Sequence, residues 1–328
     1  MTPSDAPAAR PGRLLITGIT GFLGSHLAIV AHRAGWQVVG LARNPPERST
    51  PNTIADFVRA DLAQPGAARD AIERLAPDAV VHCAANARTD ACERFPEAAE
   101  RDNVAATALL DEACRGGGVA VPMVVCSTDL VFDGRRPGGG YREDDPPRPI
   151  NAYGRSKLAM ERLLAERGSQ AIVARLPLIF GPPAHSGGRG SFLEGWVERV
   201  RRGQTLVLFA DEWRTPLSVR DAAGGLLACL ARGRSGRTYH LAGPRRIDRY
   251  ALGKAFFDLV AGPLGLDRSL VRPGRQADVP MLAPRAQDVS LDGSRAREEL
   301  GFAPRALEEE LAWTAGRMAR SDASEARF

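Results

Sequence analysis

Residues 13–41 read RLLITGITGFLGSHLAIVAHRAGWQVVGL, with glycines at 18, 21 and 24 set between two apolar stretches of different period. Arg13–Thr17 is a short β-type run, Ser25–Ala34 has helical spacing, Gly35 stops that helix, and Trp36–Leu41 is the next apolar strand. Strand, glycine turn, helix and strand make a βαβ unit. The alternation continues with a short strand near Phe57–Arg59, a helix from about Gly66 to Leu75 and a buried strand over Ala79–Cys83. A long helix is expected from Pro96, well placed in a first turn, to Arg115, where glycines 116 to 118 stop it. Val119–Cys126 is a further apolar strand. Buried strands alternating with helices imply an α/β fold, a parallel sheet covered on both faces.

Downstream, Asp133–Ile150 is rich in Gly, Pro and charge and reads as a long surface loop, of a length often used for lids. Asn151–Arg167 is helical, Ile172–Arg175 a strand, and Gly181–Gly190 a flexible stretch. Beyond it the alternation loosens: helix Phe192–Arg202, strand Thr205–Phe209, helix Val219–Leu230, strand Thr238–Leu241, then helices near Tyr250–Val260 and Ala306–Arg317. No internal repeat or heptad pattern is visible.

The 328 residues suffice for one large α/β domain with an attached lobe, and 44% hydrophobic with 25% charged residues is a globular balance. No apolar run approaches the length of a membrane span, and the opening MTPSDAPAARPGR lacks the apolar core of a secretory signal. A soluble, cytoplasmic protein with a disordered tail over 1–12 is expected. Cysteines 83, 92, 114, 126 and 229 form neither an even framework nor a CxxC pair, which fits a reducing compartment and argues against a metal. The net charge of +5 is spread along the chain, so no nucleic-acid partner is expected. A modest positive field favours small anions such as nucleotides and phosphorylated sugars.

Glycines between a strand and a helix let backbone approach a pyrophosphate at the positive helix end, so the loop reads as a dinucleotide site. Cofactor choice is read at the end of the second strand, Gly40-Leu41-Ala42-Arg43-Asn44, where no acid stands ready for ribose hydroxyls. Arg43 there suits a 2′-phosphate, so NADP(H) is preferred, with NAD(H) the alternative. Tyr153-Gly-Arg-Ser-Lys157 places a phenol and an ammonium one turn apart on a helix face. A phenol of ordinary pKa about 10 must have its phenolate stabilised to act near neutrality, and a neighbouring cation contributes to that. Thr128 can donate to a developing alkoxide.

Together TGITGFLG, VVHCAANARTDACE, CSTDLVFDG and INAYGRSKLAMERLL resemble an extended short-chain dehydrogenase/reductase. With ADEWRTPLSVRDAA, they are most similar to its dTDP-4-dehydrorhamnose reductase branch. The resemblance implies a Rossmann-type doubly wound sheet over 13–180, rejoined by 216–243, and a smaller C-terminal substrate-binding lobe from 181–215 and 244–328. It makes Tyr153 the general acid, with Lys157 holding the nicotinamide ribose and lowering the tyrosine pKa, and Thr128 bonded to the substrate carbonyl. The loop residues Gly18, Thr20, Gly21, Phe22, Leu23 and Gly24 meet the cofactor, as do Ala42, Arg43, Asp61, Leu62, Cys83, Ala84 and Ala85. Asn86, Asp129, Leu178 and Arg214 border the substrate, Arg214 at the diphosphate of a sugar nucleotide.

Sugar-nucleotide 4,6-dehydratases resemble this site but carry Glu where this chain has Leu130, which cannot exchange protons. Ala85-Asn86-Ala87-Arg88 and Leu178 depart from the rhamnose pattern, so the sugar is left open. The expectation is NADPH-dependent reduction of a ketone, foremost the 4-keto group of a nucleotide-linked deoxy sugar. A nucleotide-sugar epimerase, with His185 as a conceivable further acid-base group, and a non-catalytic NADP-binding regulatory subunit are the alternatives. A homodimer is compatible with this reading.

Overall fold

The three glycines turn β1 (Arg13–Thr17) into α1 (Phe22–Arg33), which returns to β2 (Gln37–Ala42), paired in parallel with β1 from Arg13↔Gln37 to Thr17↔Leu41. Gly18 has a left-handed φ of +67°, and a Cβ on it would lie 2.8 Å from the backbone of Ala84, so this turn requires glycine. The computed structural model describes residues 12–46, 53–116, 120–185 and 187–325; apart from Gly12, the tail read over 1–12 lies outside them.

The first half continues with β3 (Ile54–Arg59), α2 (Ala67–Leu75), β4 (Ala79–His82), α3 (Thr89–Arg94), α4 (Pro96–Glu100), α5 (Ala106–Arg115) and β5 (Met123–Thr128). Then follow α6 (Ala152–Glu166), β6 (Ile172–Leu176), β7 (Ile179–Phe180), α7 (Phe192–Arg201), β8 (Leu206–Phe209), β9 (Trp213–Arg214) and β10 (Leu217–Ser218). The chain ends with α8 (Val219–Arg232), β11 (Thr238–His240), β12 (Ile247–Asp248), α9 (Arg249–Val260), β13 (Val271–Gly274), α10 (Ser294–Leu300) and α11 (Leu307–Glu325).

Seven parallel strands form the main sheet in the order β11-β6-β5-β4-β1-β2-β3, the doubly wound Rossmann arrangement. The order reverses between β1 and β4, which opens a crevice at their carboxyl ends. Alternation along β1 sends Leu14 and Ile16 to one face and Leu15 to the other. The first face packs on Leu27, Ala28 and Ala31 of α1 and Ala222, Ala223 and Leu226 of α8. The second packs on α2, α5 and α6 through Ala71, Leu75, Leu110, Met160 and Leu164. Burying each such Leu or Ile contributes about 1.5–3 kcal/mol, so both helical layers are bound tightly to the sheet. A separate core joins α7, β8, α9 and α11 through Trp196, Leu208, Phe256, Phe257 and Leu311.

The structure differs from the sequence expectations at several points. The long helix over Pro96–Arg115 is interrupted by a π-helical turn, Arg101–Ala105, and α3 precedes it. The last sheet strand before the helical Asn151–Arg167 segment begins later than expected, at Met123, just after Pro122. The loop over Asp133–Ile150 is pinned rather than a free lid. Tyr141 in it is buried, stacks on Phe132 at 4.3 Å, donates its N–H to the Ser290 carbonyl at 2.9 Å and accepts from Asp292 N–H at 2.8 Å. Within 244–328, α10 packs on the sheet side, where Ala296, Leu300 and the following Phe302 join the core with α8.

Candidate active site

The chain leaving β1 and β4 at the crevice is small: Gly18 after one, Cys83-Ala84-Ala85 after the other. These residues line a cavity together with Thr20 and Gly21 of the turn, Ala42 and Arg43 at the end of β2, and Asp61 and Leu62 beyond β3. Each was expected at the cofactor. Asn44, Asp102 and Arg189, with Leu41, Ala60 and Ala106, complete the wall and were not. Gly21 caps α1 without any side-chain hydrogen bond, so the amides of the first turn have no side-chain cap and suit an anion. Small walls, helix amides and two arginines fit a dinucleotide.

Phe22, Leu23 and Gly24 lie behind that wall. Phe22 packs edge-on against His26 with centroids 5.5 Å apart, Leu23 joins the core, and Gly24 abuts the Gly18 carbonyl. Under the turn, His82 is clamped between Thr17 Oγ1 at 2.7 Å and Thr107 Oγ1 at 2.9 Å. Burial, with Lys157 adding to it, drives the His82 pKa down to about 3, so this imidazole is neutral.

Lys157 is itself buried, 2% exposed, and its Nζ donates to Met160 Sδ at 3.4 Å. Burial lowers its pKa, while Cys126, Glu161 and Cys83 act in the opposite sense. Cys83 and Cys126 stand on neighbouring strand ends with sulfurs 3.7 Å apart. Lys157 is thus placed behind the cavity-lining Cys83 rather than in the wall itself.

Strand β5 delivers Ser127 and Thr128 to opposite faces, as alternation requires. Ser127 Oγ donates to Glu161 Oε1 at 2.5 Å, and Glu161 receives Arg175 Nη2 at 2.6 Å in a buried ion pair. Thr128 Oγ1 donates to Asp129 Oδ1 at 3.1 Å and accepts from Leu130 N–H at 3.2 Å. Burial, then Asp129, raise the Tyr153 pKa above its ordinary value, and a hydrogen bond with Thr128 opposes them. The net direction is upward, opposite to the lowering expected from Lys157, because desolvation of the phenolate dominates.

Asp129 is 3% exposed, and its Oδ2 lies 3.7 Å from Arg214 Nε without a hydrogen-bond partner among the described residues. Burial outweighs the arginine and raises its pKa to about 6. Arg214, expected at a diphosphate, is committed to protein groups. Its Nη1 donates to the carbonyls of Trp213 at 2.7 Å and Ala286 at 3.2 Å, and its Nη2 lies 3.4 Å from Glu212 Oε1. Glu212 is shared with Arg249 and Arg285, at 3.4 and 3.5 Å. Thr128, Asp129, Tyr153 and Arg214 therefore form one cluster. Leu178 instead packs with the core of α7 and α9, and His185 lines a second cavity together with Ile19, Thr20 and Ser25.

Sequence reasoning missed Asn103. Its Oδ1 accepts from Asn86 N–H at 2.7 Å, and its Nδ2 donates to Asn86 O at 3.1 Å and Ser156 Oγ at 2.9 Å; Ser156 in turn donates to the Tyr153 carbonyl at 2.8 Å. This side chain ties the segment after β4, Asn86 included, to the first turn of the tyrosine helix. An Asn deep inside a helical run is a poor helix former, and that was the available signal.

A family model described as the RmlD substrate-binding domain matches residues 12–319. A probable low-salt glycan biosynthesis reductase of Haloferax volcanii is 30% identical over 297 residues, 90% of this chain and 95% of the relative. Methionine adenosyltransferase 2 subunit beta of Bos taurus is 31% identical over 312 residues, 89% of this chain and 84% of the relative. Among solved structures, a dTDP-glucose 4,6-dehydratase of Streptomyces venezuelae with NAD and TYD bound superposes with a TM-score of 0.78 at 26% identity, covering 95% of this chain and 98% of that one.

Proposed function

The chain belongs to the RmlD substrate-binding domain family, and we propose that it is a sugar-nucleotide reductase that uses NADPH to reduce the 4-keto group of a nucleotide-linked deoxy sugar. The observation that carries this reading is the meeting of Thr128 and Tyr153 one strand away from the cavity wall Cys83–Ala85. A bound nicotinamide dinucleotide supplies a hydride to the carbonyl carbon. Gly18, Thr20, Gly21, Ala42, Arg43, Asp61, Leu62 and Cys83–Ala85 would hold it.

Thr128 would turn its hydroxyl proton from Asp129 Oδ1 to the carbonyl oxygen and stabilise the negative charge that builds there. Tyr153 then gives up its phenolic proton. Burial and the Asp129 carboxylate keep that phenol protonated at rest, so the proton is in place before substrate arrives. An alkoxide is a stronger base than an ordinary phenolate, so it takes up the phenolic proton as negative charge builds on the oxygen. Lys157 stands buried behind Cys83, on the same helix as Tyr153. Leu130 in place of an acid disfavours dehydration, the reaction named for the structural relative.

A second reading, a cofactor-binding subunit without turnover, is favoured by the match to methionine adenosyltransferase 2 subunit beta. Mixing the protein with NADPH and a panel of nucleotide-linked 4-keto sugars and simple ketones separates the readings by absorbance of the reduced cofactor. The reductase oxidises NADPH with a 4-keto sugar. NADPH binding without oxidation by any carbonyl favours the subunit, and an inverted stereocentre without net oxidation favours an epimerase.

A further inference from the structure

Arg43 does not face the cofactor cavity alone. Its Nη1 lies 3.3 Å from Asp102 Oδ2, and both residues line the cavity. The end of β2 carries no acid, yet the π-helical turn Arg101–Ala105 brings one to the same place from the helical side. Asp102 is firmly set. Its side chain is 12% exposed, and Arg101 donates Nε at 2.9 Å and Nη2 at 2.7 Å to its Oδ1, while Arg43 is 58% exposed at the side chain. The backbone of Arg43 is also anchored, its carbonyl accepting from Arg59 Nε at 3.0 Å. Asp102 and Asn103 share the π turn but face different tasks, Asp102 toward Arg43 and Asn103 toward Asn86 and Ser156.

We propose that Asp102 sets the cofactor preference of this chain by holding Arg43. A 2′-phosphate must draw the guanidinium away from the carboxylate and then bear its own negative charge beside it. A cofactor with a free 2′-hydroxyl leaves the ion pair intact. Asp102 thus acts through Arg43 and narrows the advantage that Arg43 gives to NADPH. This inference rests on the reading of Arg43 as the 2′-phosphate contact.

Titrations of NADPH and NADH into the wild type, Asp102→Asn, Asp102→Glu and Arg43→Ala, followed by binding fluorescence with melting temperatures as a folding control, test it. Asp102→Asn should tighten NADPH about two- to fivefold and leave NADH within about twofold, the range set by an exposed ion pair. Asp102→Glu should keep the wild-type ratio. Arg43→Ala should weaken NADPH and spare NADH. If Arg43→Ala behaves so while Asp102→Asn moves both cofactors equally or neither, Asp102 does not set the preference. If Arg43→Ala weakens both equally, the 2′-phosphate reading falls and takes the inference with it.

Discussion

Alanine at position 24 puts the glycine turn under direct load. A Cβ there would lie 2.3 Å from the Gly18 carbonyl oxygen and 2.9 Å from Ile19 Cα, where ordinary contact begins at 3.4 Å, so room must be made by moving main chain. The turn has little room to yield, because Gly18 N–H bonds the Leu41 carbonyl at 2.8 Å and Gly21 N–H bonds the Gly18 carbonyl at 2.9 Å. Overpacking of this kind costs about 1–3 kcal/mol, and the helix preference of Ala over Gly returns up to about 1 kcal/mol. Gly24→Ala should therefore destabilise by about 1–2 kcal/mol. Because the displaced atoms belong to the cavity wall, dinucleotide affinity should fall about tenfold or more, a loss of about 1.4 kcal/mol. Gly224 in α8 is the control: it is exposed, with nothing within 4 Å of a built Cβ. Gly224→Ala should stabilise by about 0.5–1 kcal/mol and leave affinity unchanged. Urea unfolding and NADPH titration read both effects. Equal stability changes in the two variants, or full cofactor affinity in Gly24→Ala, would refute the packing argument.

The Asp129 carboxyl, raised from 3.8 to about 6, takes up its extra proton in the folded state, so native protein binds more protons than unfolded between those values. Stability therefore falls as pH rises through that window, and wild type should lose up to about 3 kcal/mol relative to Asp129→Asn across it. A pH-independent difference in unfolding free energy would count against the burial argument. Glu161→Gln leaves the buried Arg175 guanidinium without its carboxylate and should cost about 3 kcal/mol or more in urea unfolding. A loss below about 1 kcal/mol would mean that the pair is replaceable by neutral hydrogen bonds.

The elements carried by period and punctuation were legible from the chain itself. Leu14 to Ile16 alternate, Gly18 demands its turn, and the resulting βαβ unit opens onto the cavity at the strand ends. What escaped was decided by distant partners. The π turn depends on Asn103 bonding residues 17 and 53 positions away, and the loop around Tyr141 is held by Ser290 and Asp292, far along the chain. Gly and Pro content alone therefore overstated that loop's freedom. The motif around Arg214 does not reveal that Asp129 and Glu212 stand beside it. Helical spacing likewise brought Tyr153 and Lys157 to one helix without revealing that Lys157 is fully buried and Tyr153 half-buried.

The central claim is that Tyr153 is the proton donor of a ketone reduction. Steady-state NADPH oxidation by a nucleotide-linked 4-keto sugar, measured for wild type and Tyr153→Phe alongside NADPH affinity, tests it most directly. Turnover is expected in the wild type and a fall in kcat of about a hundredfold or more in the variant, with cofactor affinity unchanged. Undiminished turnover in Tyr153→Phe, or a wild type that binds NADPH and reduces none of these sugars, would contradict it.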